Sequence, residues 1–135
     1  MTQGERQILE EVREEHGALR DSGIEQLKRR PKEPGLERAL ERLEVTFLLR
    51  AYSAFESILN ARLSLGASDG STLGNKLQRI AREDASQDPA TQSNLPWRKL
   101  LTRDRNLIMH GRISPPAWPL NITLAQMEVF LSQYP

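Results

Sequence analysis

The chain has 135 residues, of which 27% are charged, and a net charge of +1, with no cysteine and two histidines. This length is typical of a single domain with one hydrophobic core, so we expect one domain over residues 1–135. The absence of cysteine excludes disulfides, thiol nucleophiles and cysteine-ligated metals. No apolar run approaches the roughly 20 residues that span a bilayer, and the first residues lack an apolar signal core. We therefore expect a cytoplasmic protein with no membrane contact.

The N-terminal segment, residues 1–30, is predicted to be a long outer helix because it is highly charged and has a narrow apolar stripe. That stripe consists of Ile8, Val12, Leu19 and Leu27. Gly17 and Gly23 interrupt the pattern, so we expect the helix to bend or split near one of them. His16 lies among glutamates, which favours a position at the surface.

A second helix is predicted from Leu36 to about Ser64, and it has the clearest periodicity in the chain. Its apolar residues recur in steps of three and four: Leu36, Leu40, Leu43, Phe47, Ala51, Phe55, Ile58, Leu59 and Leu63. Residues 46–68 contain only three charged side chains, Arg50, Glu56 and Arg62. A helix so poor in charge is expected to run through the middle of a bundle. We expect Gly66 to help end it.

Three further helices complete the predicted fold. The third covers about 71–85, the fourth begins at Pro96 and ends around 110–112, and the last begins near Thr123. No alternating strand pattern is present in the sequence. The chain is therefore predicted to be an all-α, up-down bundle of four to five helices, with residues 36–131 as its core.

The predicted fourth helix is strongly basic. Residues 95–112 contain five basic side chains against one acidic one: Arg98, Lys99, Arg103, Arg105 and Arg112 against Asp104. Such a patch attracts phosphate, although an ordinary solvated helix face would have the same composition. Arg103, Asn106 and His110 share one face of an ideal helix, whereas Arg105 lies about 140° from His110 around it.

The segment from Arg105 to Gly111, Arg-Asn-Leu-Ile-Met-His-Gly, resembles the R-N-x-x-x-H signature of the HEPN superfamily. These proteins are small helical bundles found in prokaryotic toxins and phage-defence systems. The resemblance extends to a central apolar helix that contains Glu56. It implies an HEPN-like fold and metal-independent endoribonuclease activity, with no cofactor and no metal. It also implies RNA as a partner and toxin–antitoxin or antiviral biology, with a cognate antitoxin as a further partner.

The resemblance assigns catalytic roles to Arg105, Asn106 and His110. In such chemistry the ribose 2′-hydroxyl attacks the adjacent phosphorus and leaves a 2′,3′-cyclic phosphate. His110 is the side chain that titrates near neutrality, and Arg105 offers a permanent cation for the phosphorane. HEPN proteins supply a second histidine by dimerising, which implies a homodimer with the site at the interface. Arg98, Lys99, Arg103 and Arg112 are candidates for contacts to RNA phosphates.

Each of these assignments has an alternative. His110 also fits a helix cap, and Glu56 either orients Arg105 or His110 or pairs with Arg50 or Arg62 as a structural ion pair. The chain as a whole fits a non-catalytic RNA-binding or dimerisation module as well as a ribonuclease. A carboxylate-bound metal site among the glutamates of residues 5–15 is a third interpretation. Toxins regulated through a tyrosine resemble R-x4-6-H-x-Y, but position 112 here is arginine.

Overall fold

A computed structural model of the chain describes residues 1–66, 69–81, 101, 105 and 119–135. Over these residues the backbone forms helices and connecting turns without a strand. The helices are α1 (Gln3–Arg29), α2 (Pro34–Arg62), α3 (Leu73–Ile80) and α4 (Leu120–Gln133). The prediction of an all-α fold is therefore confirmed. Helix α2 packs against the other three, and α1 also packs against α4.

Helix α1 is continuous from Gln3 to Arg29, so the predicted split at Gly17 or Gly23 is wrong. Thr2 caps its first turn, because its hydroxyl accepts a hydrogen bond from the Glu5 amide at 3.1 Å. A glycine inside a helix lowers its stability by only about 0.5–1 kcal/mol, and the packing of α1 on α2 outweighs that cost. Gly23 also lies close to α2, since a Cβ built on it would be 2.4 Å from Leu40 Cδ2.

The buried face of α1 differs from the predicted stripe. Leu9 and Val12 are buried, whereas Ile8 is 40% exposed and Leu19 is 53% exposed. His16, one turn beyond Val12, is half-buried with its ring centroid 5.2 Å from that of Phe47. His16 is therefore partly exposed rather than fully at the surface, because its ring contacts that of Phe47. The helical spacing of 9, 12 and 16 selects the face that meets α2.

Helix α2 lies at the centre of the described helices, as its low charge predicts. Its buried residues are Phe47, Leu48, Ala51, Tyr52, Phe55, Ile58 and Leu59. They pack with residues of the other helices and with Leu101 in one apolar cluster. Because the second half of α2 is buried along its length, its other side chains, such as Glu56, also lie close to the core.

Helix α2 ends earlier than predicted, and the residue that terminates it is Ser64 rather than Gly66. Ser64 has a φ of 55°, the left-handed conformation that usually selects glycine. The Leu65 amide donates to the Asn60 carbonyl at 2.8 Å, and the Ser64 amide donates to the Ala61 carbonyl at 3.2 Å. These two bonds form a Schellman motif, which satisfies the last carbonyls of the helix.

Helix α3 is shorter than the predicted 71–85, because it ends at Ile80 with Ala81 as its C-cap. Helix α4 begins at Leu120, three residues before the predicted start near Thr123. The Leu120 amide donates to Glu44 Oε1 at 2.9 Å, so a side chain of α2 supplies the cap. In the described part of the chain, no helix is long and apolar enough to cross a membrane.

Candidate functional site

Three charged side chains from distant parts of the sequence meet beside α2. Glu56 Oε1 lies 2.9 Å from Arg105 Nη2, and Glu56 Oε2 lies 3.8 Å from Lys76 Nζ. We call Glu56, Lys76 and Arg105 the Glu56 cluster. One carboxylate therefore contacts two cations, one through each oxygen, and the cluster joins α2, α3 and the segment that contains the R-N-x-x-x-H sequence.

Glu56 is positioned by the core face of α2. Its neighbour Phe55 is fully buried, as is Leu59 one turn further along the helix. The Glu56 side chain is 20% exposed, so it lies at the edge of the apolar core rather than in open solvent. A carboxylate in this position requires partners, because burial penalises an unpaired charge.

Lys76 is positioned by the short helix α3. The Thr72 hydroxyl accepts a hydrogen bond from the Asn75 amide at 3.2 Å and so caps the first turn. Leu73 and Leu77 are buried on the face of α3 that packs on the core, and Lys76 lies between them on that face. Its side chain is only 3% exposed, which is unusual for a lysine.

Arg105 reaches Glu56 from the segment that contains the R-N-x-x-x-H sequence. Leu101, four residues earlier, is helical and fully buried in the core. Leu101 and Arg105 are thus both held against the part of the structure that surrounds α2, Leu101 by burial in the core and Arg105 by its contact with Glu56. The Arg105 side chain is 27% exposed, the largest exposure in the Glu56 cluster.

The other predicted site residues lie outside the residues that the structure describes. These are Asn106 and His110 of the proposed catalytic set, and Arg98, Lys99, Arg103 and Arg112 of the predicted phosphate-binding set. The juxtaposition of these residues with Arg105 therefore stays a prediction.

The structural ion pairs that were the alternative for Glu56 involve other residues. Arg50 Nη1 pairs with Glu15 of α1. Arg62 donates to both oxygens of Glu5, at 3.0 and 2.6 Å, and to the carbonyl of Leu131 at 3.1 Å. Arg62 thereby joins the first turn of α1 to the last turn of α4. Glu56 contacts Arg105, which is one of the two targets that the sequence suggested for it.

Sequence reasoning missed Lys76. Its spacing from Leu73 and Leu77 places it within the apolar stripe of α3, and a cation at such a position signals a buried charge that requires a carboxylate. The identity of that carboxylate depends on how α3 packs on α2, which local spacing does not reveal.

A separate cavity of about 680 Å³ lies between α1, α2 and the start of α4. Among its lining residues are His16, Arg20, Leu40 and Glu44, and none of the residues described as lining it belongs to the Glu56 cluster. Burial lowers the pKa of His16, and Glu44 opposes this shift. The second histidine of the chain is therefore held by packing against Phe47, away from Glu56.

The glutamates of residues 5–15 do not form a metal site in the described part of the chain, where no group of three or more potential metal-ligating side chains is assembled. Glu5 pairs with Arg62, Glu10 with Arg13, and Glu15 with Arg50. Arginine partners neutralise these carboxylates and occupy their oxygens. The carboxylate-metal interpretation gains no support from this arrangement.

Comparison with protein-family models, curated proteins and solved structures finds no match for this chain. Its function is therefore inferred from its own residues and their geometry.

Proposed function

We propose that this protein is a metal-independent endoribonuclease of the HEPN type. The observation that carries the proposal is the contact between Glu56 and Arg105 at 2.9 Å. A guanidinium that is held by a carboxylate at the edge of a core has a fixed orientation, which suits a cation that has to meet a phosphate in one geometry.

In the proposed reaction, a base removes the proton of the ribose 2′-hydroxyl while its oxygen attacks the adjacent phosphorus. An acid donates a proton to the leaving 5′-oxygen, so the products are a 2′,3′-cyclic phosphate and a 5′-hydroxyl. Arg105 stabilises the negative charge on the phosphorane, and His110 transfers protons. Asn106 holds the imidazole or a phosphate oxygen, and Arg98, Lys99, Arg103 and Arg112 contact neighbouring phosphates.

The proposal includes a homodimer, because one chain contains a single histidine in the R-N-x-x-x-H sequence and the reaction uses both a base and an acid. Two copies related by a two-fold axis would supply one histidine each. Sedimentation should then give the mass of a dimer. A mixture of His110→Ala and Arg105→Ala subunits should have weak activity that exceeds that of either variant alone, because a shared site keeps groups from both subunits. A mixture no more active than the separate variants would indicate two independent sites and contradict a shared one.

The decisive experiment is the cleavage of single-stranded RNA in EDTA, with the 3′ ends of the products analysed for cyclic phosphate. We expect the wild-type protein to cleave and His110→Ala and Arg105→Ala to lose at least about 100-fold in rate, the usual contribution of such groups. His16→Gln is the matched control, because it removes the other histidine and should retain activity.

Cleavage that survives His110→Ala, or that requires added divalent metal, would contradict the proposed chemistry. RNA binding without cleavage of any RNA would contradict the enzymatic proposal and favour the non-catalytic RNA-binding module. An antitoxin partner and a role in toxin–antitoxin or phage defence, which the HEPN resemblance suggests, belong to the same proposal.

A further inference from the structure

Lys76 is a buried cation whose position is not explained by packing. The residue is 2% exposed, and Glu56 is the one described carboxylate within 4 Å of its Nζ. Burying a lysine carries a desolvation cost, which an apolar side chain such as methionine at the same place would avoid. The distance of 3.8 Å to Glu56 Oε2 is longer than a hydrogen bond, so Lys76 acts on Glu56 through its charge.

The charge of the Glu56 cluster depends on Lys76. Glu56 and Arg105 alone form a pair without net charge, in which the carboxylate cancels the field of the guanidinium. Lys76 adds one positive charge on the other oxygen of the same carboxylate, so the cluster has a net charge of +1. Because Lys76 is 3% exposed, water and salt screen it poorly, and its field reaches the surface where Arg105 is accessible.

We propose that Lys76 offsets the charge of Glu56 and thereby makes the Glu56 cluster a binding site for a phosphate group of RNA. Arg105 is the residue that touches the phosphate, since it is the most exposed member and its planar guanidinium donates hydrogen bonds in pairs. Lys76 is a positioning residue that acts through Glu56. The identification of the phosphate as one of RNA rests on the proposed function.

This inference predicts opposite effects for the two buried partners. Lys76→Met leaves the Glu56–Arg105 pair neutral and should weaken RNA binding by about 3- to 10-fold. Glu56→Gln retains an oxygen that accepts hydrogen bonds, raises the net charge of the cluster to +2, and should strengthen binding by a similar factor. The double variant restores the net charge of +1 and should bind within about 2-fold of the wild type.

The test uses the full chain and a fluorescein-labelled 2′-O-methyl RNA 12-mer, which lacks the attacking hydroxyl and is not cleaved. Binding is measured by fluorescence anisotropy at one fixed, low salt concentration, and folding of each variant is checked by circular dichroism. Lys28→Met is the matched control, because it makes the same change at an exposed position at the end of α1. Its affinity should stay within about 2-fold of the wild type.

Opposite shifts in the two single variants, with recovery in the double variant, support the proposal, because a purely structural role would lower affinity in both. Equal weakening by Lys76→Met and Lys28→Met would overturn it, as would failure of the wild type to bind. If Lys76→Met does not fold, Glu56→Gln alone decides: tighter binding supports the proposal, and unchanged or weaker binding refutes it.

The outcome is separable from that of the ribonuclease proposal. If the wild-type protein cleaves no RNA but the variants show the predicted pattern of affinities, the phosphate site stands and the enzymatic proposal fails. If the wild-type protein cleaves RNA but the charge variants bind RNA with the same affinity as the wild type, the enzymatic proposal stands and the role of Lys76 is refuted.

Discussion

The contact between Arg62 and Glu5 offers a direct test of what holds the described helices together. Arg62, near the end of α2, donates to both oxygens of Glu5 in the first turn of α1 and to the carbonyls of Leu131 and Tyr134 at the end of α4. Arg62→Met retains most of the apolar stem and removes all of these bonds. The variant therefore isolates the polar contribution of the guanidinium.

The expected loss follows from burial. The side chains of Arg62 and Glu5 are 15% and 13% exposed, so removing Arg62 leaves Glu5 and the helix carbonyls with poor access to water. Breaking a fully buried pair costs about 3–5 kcal/mol, and the partial exposure here lowers that value. We expect Arg62→Met to reduce the free energy of unfolding by about 2–4 kcal/mol.

Urea denaturation followed by far-UV circular dichroism measures this loss. Arg29→Met is the control, because Arg29 lies 3.9 Å from Glu25 with side chains 77% and 58% exposed, and such pairs contribute less than about 1 kcal/mol. A double-mutant cycle with Glu5→Gln should give a coupling energy of about 1–3 kcal/mol. An Arg62→Met loss no larger than that of Arg29→Met would refute the reasoning.

The same pair predicts a dependence on pH. The hydrogen bonds from Arg62 lower the pKa of Glu5 below its ordinary value of 4.5. The stability from this pair is therefore present above pH 4.5 and is lost as the pH falls through the lower folded-state value. Arg62→Met should make the free energy of unfolding less sensitive to pH in this acidic range, and an unchanged pH profile would contradict the assignment.

Three further predictions follow from local features. Ser64→Gly relieves the positive φ at the end of α2 and should raise the free energy of unfolding by about 0.5–1 kcal/mol, measured in urea, whereas a loss would contradict the left-handed cap. Thr123→Val removes a buried hydroxyl that has no hydrogen-bond partner among the described residues, and should stabilise the protein by about 1 kcal/mol in thermal melts. Burial lowers the pKa of His16 from 6.5, so stability should fall as the pH drops below 6.5; His16→Gln should flatten this slope, and an unchanged slope would locate it elsewhere.

Much of the fold is predictable from local patterns. The periodicity of residues 36–64 predicts α2 almost to its ends, because a helix that packs on several neighbours requires apolar residues all round. For α1, the predicted length is right, but the predicted buried face is wrong. Ile8 and Leu9 are adjacent apolar residues, and only the contact with α2 decides that Leu9 is the buried one. Ser64 terminates α2 although Gly66 is nearby, since the cap forms where the packed helix ends.

The candidate site also has a part that the sequence predicts and a part that only the packing of the helices decides. The sequence alone identifies Arg105 as part of an R-N-x-x-x-H pattern and Glu56 as a rare charge on an apolar helix, because both features are local. It leaves the partner of Glu56 open between cations on the same helix and elsewhere, and it gives no role to Lys76. The packing of α3 on α2 brings Lys76 to the carboxylate that Arg105 also contacts.

The sequence by itself determined that this protein is helical, that its centre is the apolar second helix, and which segment is the chemical candidate. These properties follow from the composition of each segment and from the spacing of residues that are close together along the chain. Only the tertiary structure decided which charges meet, because an ion pair between residues 20 to 57 positions apart depends on how whole helices pack. Glu56 between Lys76 and Arg105, and Glu5 with Arg62, are products of that packing.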